Sequence, residues 1–210
     1  MRWPRSPKLH GRTRSFHNAL WIFLMHSHWR SVLLSCTTLL CASVANADAC
    51  KPGPRPLSTP TERFTLNTNG SVLDKQTGLT WMRCALGQKW VAGSCTGTAT
   101  RYAWHDTDWA KDAINLDSYA GYTDWRVPLV PELASIVELG CLDHRINATV
   151  FPGTPSDPFW STTEKPKSAD YAYTLDFGAG GATAQLKTKP GALRLVRGGP
   201  WWSPPAAPKP

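Results

Sequence analysis

The chain of 210 residues lacks the short motifs that carry most enzyme chemistry. There is no Gly-x-Ser-x-Gly, no His-Glu-x-x-His and no Gly-rich phosphate loop. No stretch approaches the ~20 apolar residues a confident transmembrane helix needs. No internal repeat is visible. The first 47 residues contain no acid, although they hold six basic residues (Arg2, Arg5, Lys8, Arg12, Arg14 and Arg30). That imbalance inflates the formal charge of +8. Beyond residue 47, seventeen basic residues face fifteen acidic ones, a net charge of about +2. Nucleic acid is therefore not an expected partner.

What the N-terminus does have reads as a secretory signal peptide over residues 1–47. Ser31 to Val44 is an apolar-to-small run, and Ala45-Asn46-Ala47 is a small-x-small cleavage site. A second apolar patch, Ala19 to Met25, is set apart by His26, His28 and Arg30. Two starts fit: a long leader from Met1, or a compact one from Met25. Neither Cys41 nor Cys50 follows a good lipobox. The expected location is the periplasm, the cell surface or the medium, with no stable membrane span once the leader is removed.

Cleavage leaves Cys50, Cys84, Cys95 and Cys141, an even number in an exported chain, hence two disulfides with three pairings open. Cys84 and Cys95 close a short polar loop and are paired here, which leaves Cys50 for Cys141. A metal site is the weaker reading. None of these cysteines has C-x₂₋₄-C spacing, and only His105 and His144 remain as imidazoles. No cofactor is expected.

Residues 48–60 read as an extended, Pro-rich lead-in clamped only by Cys50, residues 61–199 as one domain, and residues 200–210 as a disordered tail. Asn69-Gly70 signals a hairpin, and Lys75 to Gly78 a second turn into a strand over Leu79 to Met82. Gly93 to Thr100 reads as loop. Thr107 to Leu116 has helical spacing, with Trp109, Ala113 and Leu116 on one stripe and Asp106 or Thr107 as N-cap. A second helix is expected from Pro131 to Leu139, stopped by Gly140. Tyr171, Tyr173, Leu175 and Phe177 alternate as in a strand, Gly178 to Gly181 turns, Ala182 to Lys187 returns, and Leu193 to Arg197 is the last strand. The order gives α+β, an antiparallel sheet with two short helices and long loops.

Four blocks stand out in this frame: Asp74 to Cys84 around Trp81; Ala120 to Pro128 with Asp124, Trp125 and Arg126, then Glu132; Phe159-Trp160-Ser161-Thr162; and Leu195-Val196-Arg197-Gly198-Gly199. In this order they resemble the Lcl C-terminal domain family, the C-terminal domain of bacterial collagen-like adhesins. The resemblance implies a C-type-lectin-like fold related to sulfatase-modifying factors, and it points to the same cysteine pairing. It also implies a structural Arg-Gly-Gly block at Arg197. The best-known relative is implicated in binding sulfated glycosaminoglycans through a trimeric head. Lys51 to Pro60 has no Gly-x-y repeat of the stalk that accompanies that head.

Two ligand chemistries follow. Lys165, Lys167, Lys187 and Lys189 form two basic pairs that, with Arg145 and Arg194, would collect into an anion-binding face. Trp90 and Trp104, flanking the Cys84–Cys95 loop, would stack on sugars. Trp81, Trp109, Trp125 and Trp160 read as core. Asp124, Arg126 and Glu132 read as an ion-pair and capping network in preference to a ligand clamp. The Glu-Pro-Asn and Gln-Pro-Asp calcium motifs of C-type lectins are missing. Asp106, Asp108 and Asp112 suit a helix N-terminus, and Asn147-Ala148-Thr149 is a chance sequon.

The expectation is an exported, non-enzymatic binding module for a glycan or protein ligand, with a homo-oligomer in keeping with the relative. Two alternatives stand beside it. One is a periplasmic enzyme or maturation factor of the sulfatase-modifying-factor type, which needs a free cysteine. The other is a structural subunit of an envelope complex, with an apolar patch around Trp201-Trp202.

Overall fold

Antiparallel pairing dominates residues 50–199, the part of the chain that the computed structural model describes. The expected signal peptide over residues 1–47 and the expected tail over residues 200–210, with Trp201 and Trp202, lie outside the described residues. Three strands come first: β1 (Phe64–Leu66), β2 (Ser71–Asp74) and β3 (Thr80–Met82). The small hairpin of β4 (Lys89–Val91) and β5 (Ser94–Thr96) follows, then α1 (Asp106–Leu116) and α2 (Val130–Ser135). The chain ends in β6 (Pro158–Glu164), β7 (Tyr171–Asp176), β8 (Gly181–Leu186) and β9 (Val196–Arg197). The sheets run β1-β2-β3-β9, β4-β5 and β6-β7-β8. This is an α+β fold with two disulfides, Cys50–Cys141 and Cys84–Cys95. Among the described residues no helix is long and apolar enough to cross a membrane.

Local chemistry explains the first sheet. Asp74 ends β2 and accepts from Gln76 N–H at 3.0 Å and Thr77 Oγ1 at 2.7 Å, which folds the Lys75–Gly78 turn. The carboxylate also takes a two-pronged pair from Arg63. Burial alone would raise the Asp74 pKa; the bonds from Arg63 and Thr77 outweigh it and hold the group below its ordinary value. The β1–β2 connection spans more than Asn69-Gly70, because Asn67 N–H closes on Ser71 O at 3.1 Å. Gly70 takes φ +86 there, a conformation a Cβ would resist.

The core has two lobes. Phe64, Trp81, Leu133, Ile136, Phe151, Phe159 and Phe177 fill one, behind α2. Met82, Trp125, Trp160, Leu193 and Leu195 fill the other, toward α1.

Six expectations need correction. First, the α1 stripe is offset by one position: Thr107 and Ala110 are buried, whereas Trp109 is 71% and Leu116 85% exposed. Trp109 is therefore not a core residue. His105 occupies the N-cap position without a side-chain bond, and Thr107 Oγ1 donates back to Trp104 O. Second, α2 stops at Ser135, because the chain past Ile136 is drawn away by Glu138, whose N–H donates to Arg145 O. Third, the Gly93–Thr100 loop contains β5, since the Cys84–Cys95 bond folds the segment back on β4. Fourth, the strand expected from the alternation forms as β7, but its buried residues are not confined to the expected face: Ala172 and Thr174 are buried, with Tyr171 and Tyr173 half-buried. Fifth, the last strand shrinks to β9. Leu193 and Leu195 still receive Leu86 and Met82 N–H groups, but at uneven spacing that breaks the ladder. Sixth, the lead-in is held by more than Cys50: backbone bonds to Gly140 and Leu142 and the Glu138 carboxylate also fix it.

Candidate functional site

Residues 50–60 form a strap. Gly53 N–H donates to Gly140 O at 2.7 Å, and Leu142 N–H to Lys51 O at 2.9 Å. Farther along, the buried Glu138 carboxylate takes Ser58 N–H (2.7 Å), Thr59 N–H (2.8 Å), Thr59 Oγ1 (2.8 Å) and Gly140 N–H (2.7 Å). Burial by itself would raise the Glu138 pKa. The donors from Ser58, Gly140 and Thr59 outweigh it, and the group sits below its ordinary value. The strap is thus clamped at both ends, by a disulfide and by a carboxylate.

Between the strap, the 147–153 loop and the hairpin at Ser94 and Cys95 opens a cleft of about 960 Å³. Pro52, Arg55, Pro56 and Leu57 wall one side, and Asn147, Thr149 and Pro152 the other. The Asn147 amide is spent internally, on Thr59 O at 2.9 Å and Thr61 Oγ1 at 3.1 Å. The wall offers hydroxyls, peptide groups, proline and leucine surface and the Arg55 guanidinium. Among the described residues, no three His, Cys, Asp or Glu side chains gather to hold a metal ion.

The charged signature lies elsewhere and is consumed by its own pairs. Arg126 forks onto the buried Glu132 at 2.6 and 2.7 Å, and Glu132 also receives Leu129 N–H at 2.8 Å, capping α2. Arg197 bonds Asp124 at 2.7 Å and lies 3.9 Å over the Tyr122 ring. That bond is the main reason the Asp124 pKa falls. Trp81, Trp125 and Trp160 are buried. Trp125 Nε1 donates to Tyr119 O at 3.0 Å, and Trp160 Nε1 to Tyr102 O at 2.8 Å.

Of the sugar and anion residues, Trp104 and Lys187 come together, but on each other. Trp90 donates to Thr68 O and carries the Arg83 guanidinium 4.0 Å over its ring. Trp104 donates to Ser161 O and carries Lys187 Nζ at 4.0 Å. Lys187 is itself buried and paired with Glu164 at 2.6 Å. Lys165 lies 5.1 Å over Tyr171, and Lys167 and Lys189 are exposed. Arg194 is fully buried, so it cannot join an anion-binding face. Trp90 and Trp104, the two rings expected to stack on a sugar, thus each carry a cation of the same chain.

The family model of the Lcl C-terminal domain matches residues 70–197. The chain belongs to the Lcl C-terminal domain family. No curated protein matches it. The family match begins inside the first sheet and ends at β9, so the strap precedes the matched residues while Glu138 and Cys141, which clamp it, lie within them.

Two structural features of this Lcl C-terminal domain carry no motif in the sequence. The Glu138 clamp is one: an acid after a helix carries no signal until the strap arrives some 80 residues away in sequence. The other is Arg194. It donates to Met82 O at 2.9 Å, to Arg83 O and to Thr154 Oγ1 at 2.8 Å, between the rings of Phe151 and Phe159. Burial brings its pKa down to about 9, so it stays protonated at neutral pH with carbonyls in place of a carboxylate.

Proposed function

We propose that this domain is an exported, non-enzymatic, adhesin-like binding module that takes a glycan or another extracellular ligand in the cleft under the strap. The observation that carries this reading is the cleft itself, about 960 Å³, within the range of ligand pockets. Its wall of hydroxyls, prolines and Leu57 suits a neutral, partly apolar ligand better than a polyanion, because Arg55 is the cation on its rim. Two disulfides support work in an oxidising compartment outside the cytosol. The return of β9 to β3 supports a C-type-lectin-like descent, with both ends of the domain in one sheet.

The non-enzymatic part rests on cysteine use. All four cysteines of the described chain are paired, which withholds the free thiol that an oxidase of the sulfatase-modifying-factor type needs. A glycan array that includes sulfated glycosaminoglycans, run at two salt concentrations, tests the ligand class. Binding that tolerates salt and is lost in Thr149→Trp, which fills the cleft, is the expected result. Steeply salt-dependent binding to sulfated chains that survives Thr149→Trp would move the site to the exposed lysines. No binding to any glycan would overturn the glycan form and leave a protein ligand.

A further inference from the structure

The outer edge of β8 bears backbone groups with nowhere to bond within the described residues. Lys187 N–H donates to Asp170 O at 2.9 Å, and the register pairs Ala172 with Gln185, Thr174 with Thr183 and Asp176 with Gly181. Antiparallel alternation then turns the backbone groups of Gly181, Thr183 and Gln185 toward β7, and those of Ala182, Ala184 and Leu186 outward. The same phase holds across the sheet. Trp160 N–H and Pro158 C=O point away from β7, both to Ala192, at 3.0 and 2.9 Å. The Leu186 carbonyl is taken by Lys189 N–H at 2.9 Å. The N–H and C=O groups of Ala182 and Ala184 have no partner among the described residues.

Edge strands are normally blunted by a charge, a proline or a bulge. Gly181-Ala182-Thr183-Ala184-Gln185-Leu186 contains no charge and no proline. Its six positions run in unbroken register with β7, so no bulge twists the edge away. The following lysine, Lys187, is folded back onto Glu164 and Trp104 and does not guard it.

We propose that β8 pairs antiparallel with β8 of a second copy of this chain, joining two three-stranded sheets into one of six strands. An antiparallel pair of identical strands is two-fold symmetric, so one contact serves both chains. Centred on Thr183, the pairing sets Ala182 against Ala184 of the second copy and Ala184 against its Ala182. Every outward N–H and C=O of the two alanines is then satisfied at once. Thr183 meets its own counterpart, a favourable cross-strand pair. The alanine side chains are small enough for the backbones to close to strand spacing. A six-residue strand falls short of the ~1,200 Å² of a stable interface, so the dimer is reversible and grows with concentration. This inference is independent of the cleft.

Sedimentation equilibrium of the purified protein with its disulfides intact, from micromolar to millimolar, tests it. The wild type is expected to pass from monomer to dimer. Ala184→Pro and Ala182→Pro each remove an outward N–H that the monomer does not use, so both variants are expected to stay monomeric with an unchanged melting midpoint. A wild type that stays monomeric at millimolar concentration, or a dimer that survives in both variants, overturns the proposal. Should the variants melt early, amide hydrogen exchange in the wild type decides. Exchange at Ala182 and Ala184 that slows with concentration supports the pairing, and exchange independent of concentration refutes it.

Discussion

At the scale of single residues, buried charge does most of the specifying. Glu132 is fully buried, and Arg126 supplies two of its donors. Arg126→Ala would strand that carboxylate, and a loss of about 3 kcal/mol or more is expected in urea denaturation. A loss below ~1 kcal/mol would mean that the pair behaves as a surface one. Glu138 and Asp74 set the acid limb. Both have folded pKa values depressed below 4.5 and 3.8. Their stabilisation is therefore complete above about pH 4.5 and is lost as pH falls through the lower folded values. Glu138→Gln should lower stability at pH 7 and flatten its dependence below pH 4.5, which a denaturation series from pH 7 to pH 3 reads directly. An unaltered acid limb would remove Glu138 from the clamp.

Elements succeed or fail here by which face they show. The spacing of α1 was legible, but its stripe was not. Apolar Trp109, Ala113 and Leu116 invite one face inward, whereas the helix is anchored by Asn115, whose amide brackets the backbone of Trp125 at 2.8 and 2.9 Å. That polar bracket, with Thr107 and Ala110 packed beneath, sets the rotation of the helix. Trp109→Ser and Leu116→Ser are accordingly expected to change stability by less than about 0.5 kcal/mol. Trp125→Ala should cost about 3–5 kcal/mol. Thermal denaturation of the three variants separates the two rotations, since a large loss at Trp109 would restore the one expected from spacing. α2 shows the reverse case. Pro131 and Glu132 marked its start, but its end depended on where Glu138 found its partners, and those lie on the strap and at Gly140 and Arg145.

For the molecule as a whole, the two disulfides divide the work. Cys50–Cys141 spans 91 residues and Cys84–Cys95 spans 11. In the chain-entropy picture a loop near 100 residues is worth about 4.7 kcal/mol and one near 15 about 3 kcal/mol. Replacing both cysteines of the long bridge by serine should therefore destabilise more than the same change in the short one, and it should also loosen the wall of the cleft. Equal losses in calorimetry would show that strap contacts, Glu138 foremost, hold the chain without the bond.

Sequence alone determined the class of the protein. Cysteine parity, turn signals, two helical spacings and the blocks around Trp81, Trp125, Trp160 and Arg197 gave an α+β fold, its two disulfides and its family. These are local or countable properties, set by backbone preference and by side chains that fit a single environment. Tertiary structure alone decided the surface. It turned Trp109 outward and set Arg83 over the ring of Trp90 and Lys187 over that of Trp104. It buried Lys187 and Arg194, raised a cleft behind a strap of prolines, and left the edge of β8 open among the described residues. Exposure is a property of what arrives from elsewhere in the chain, and no spacing along the sequence records which partner a cation or a carboxylate will meet.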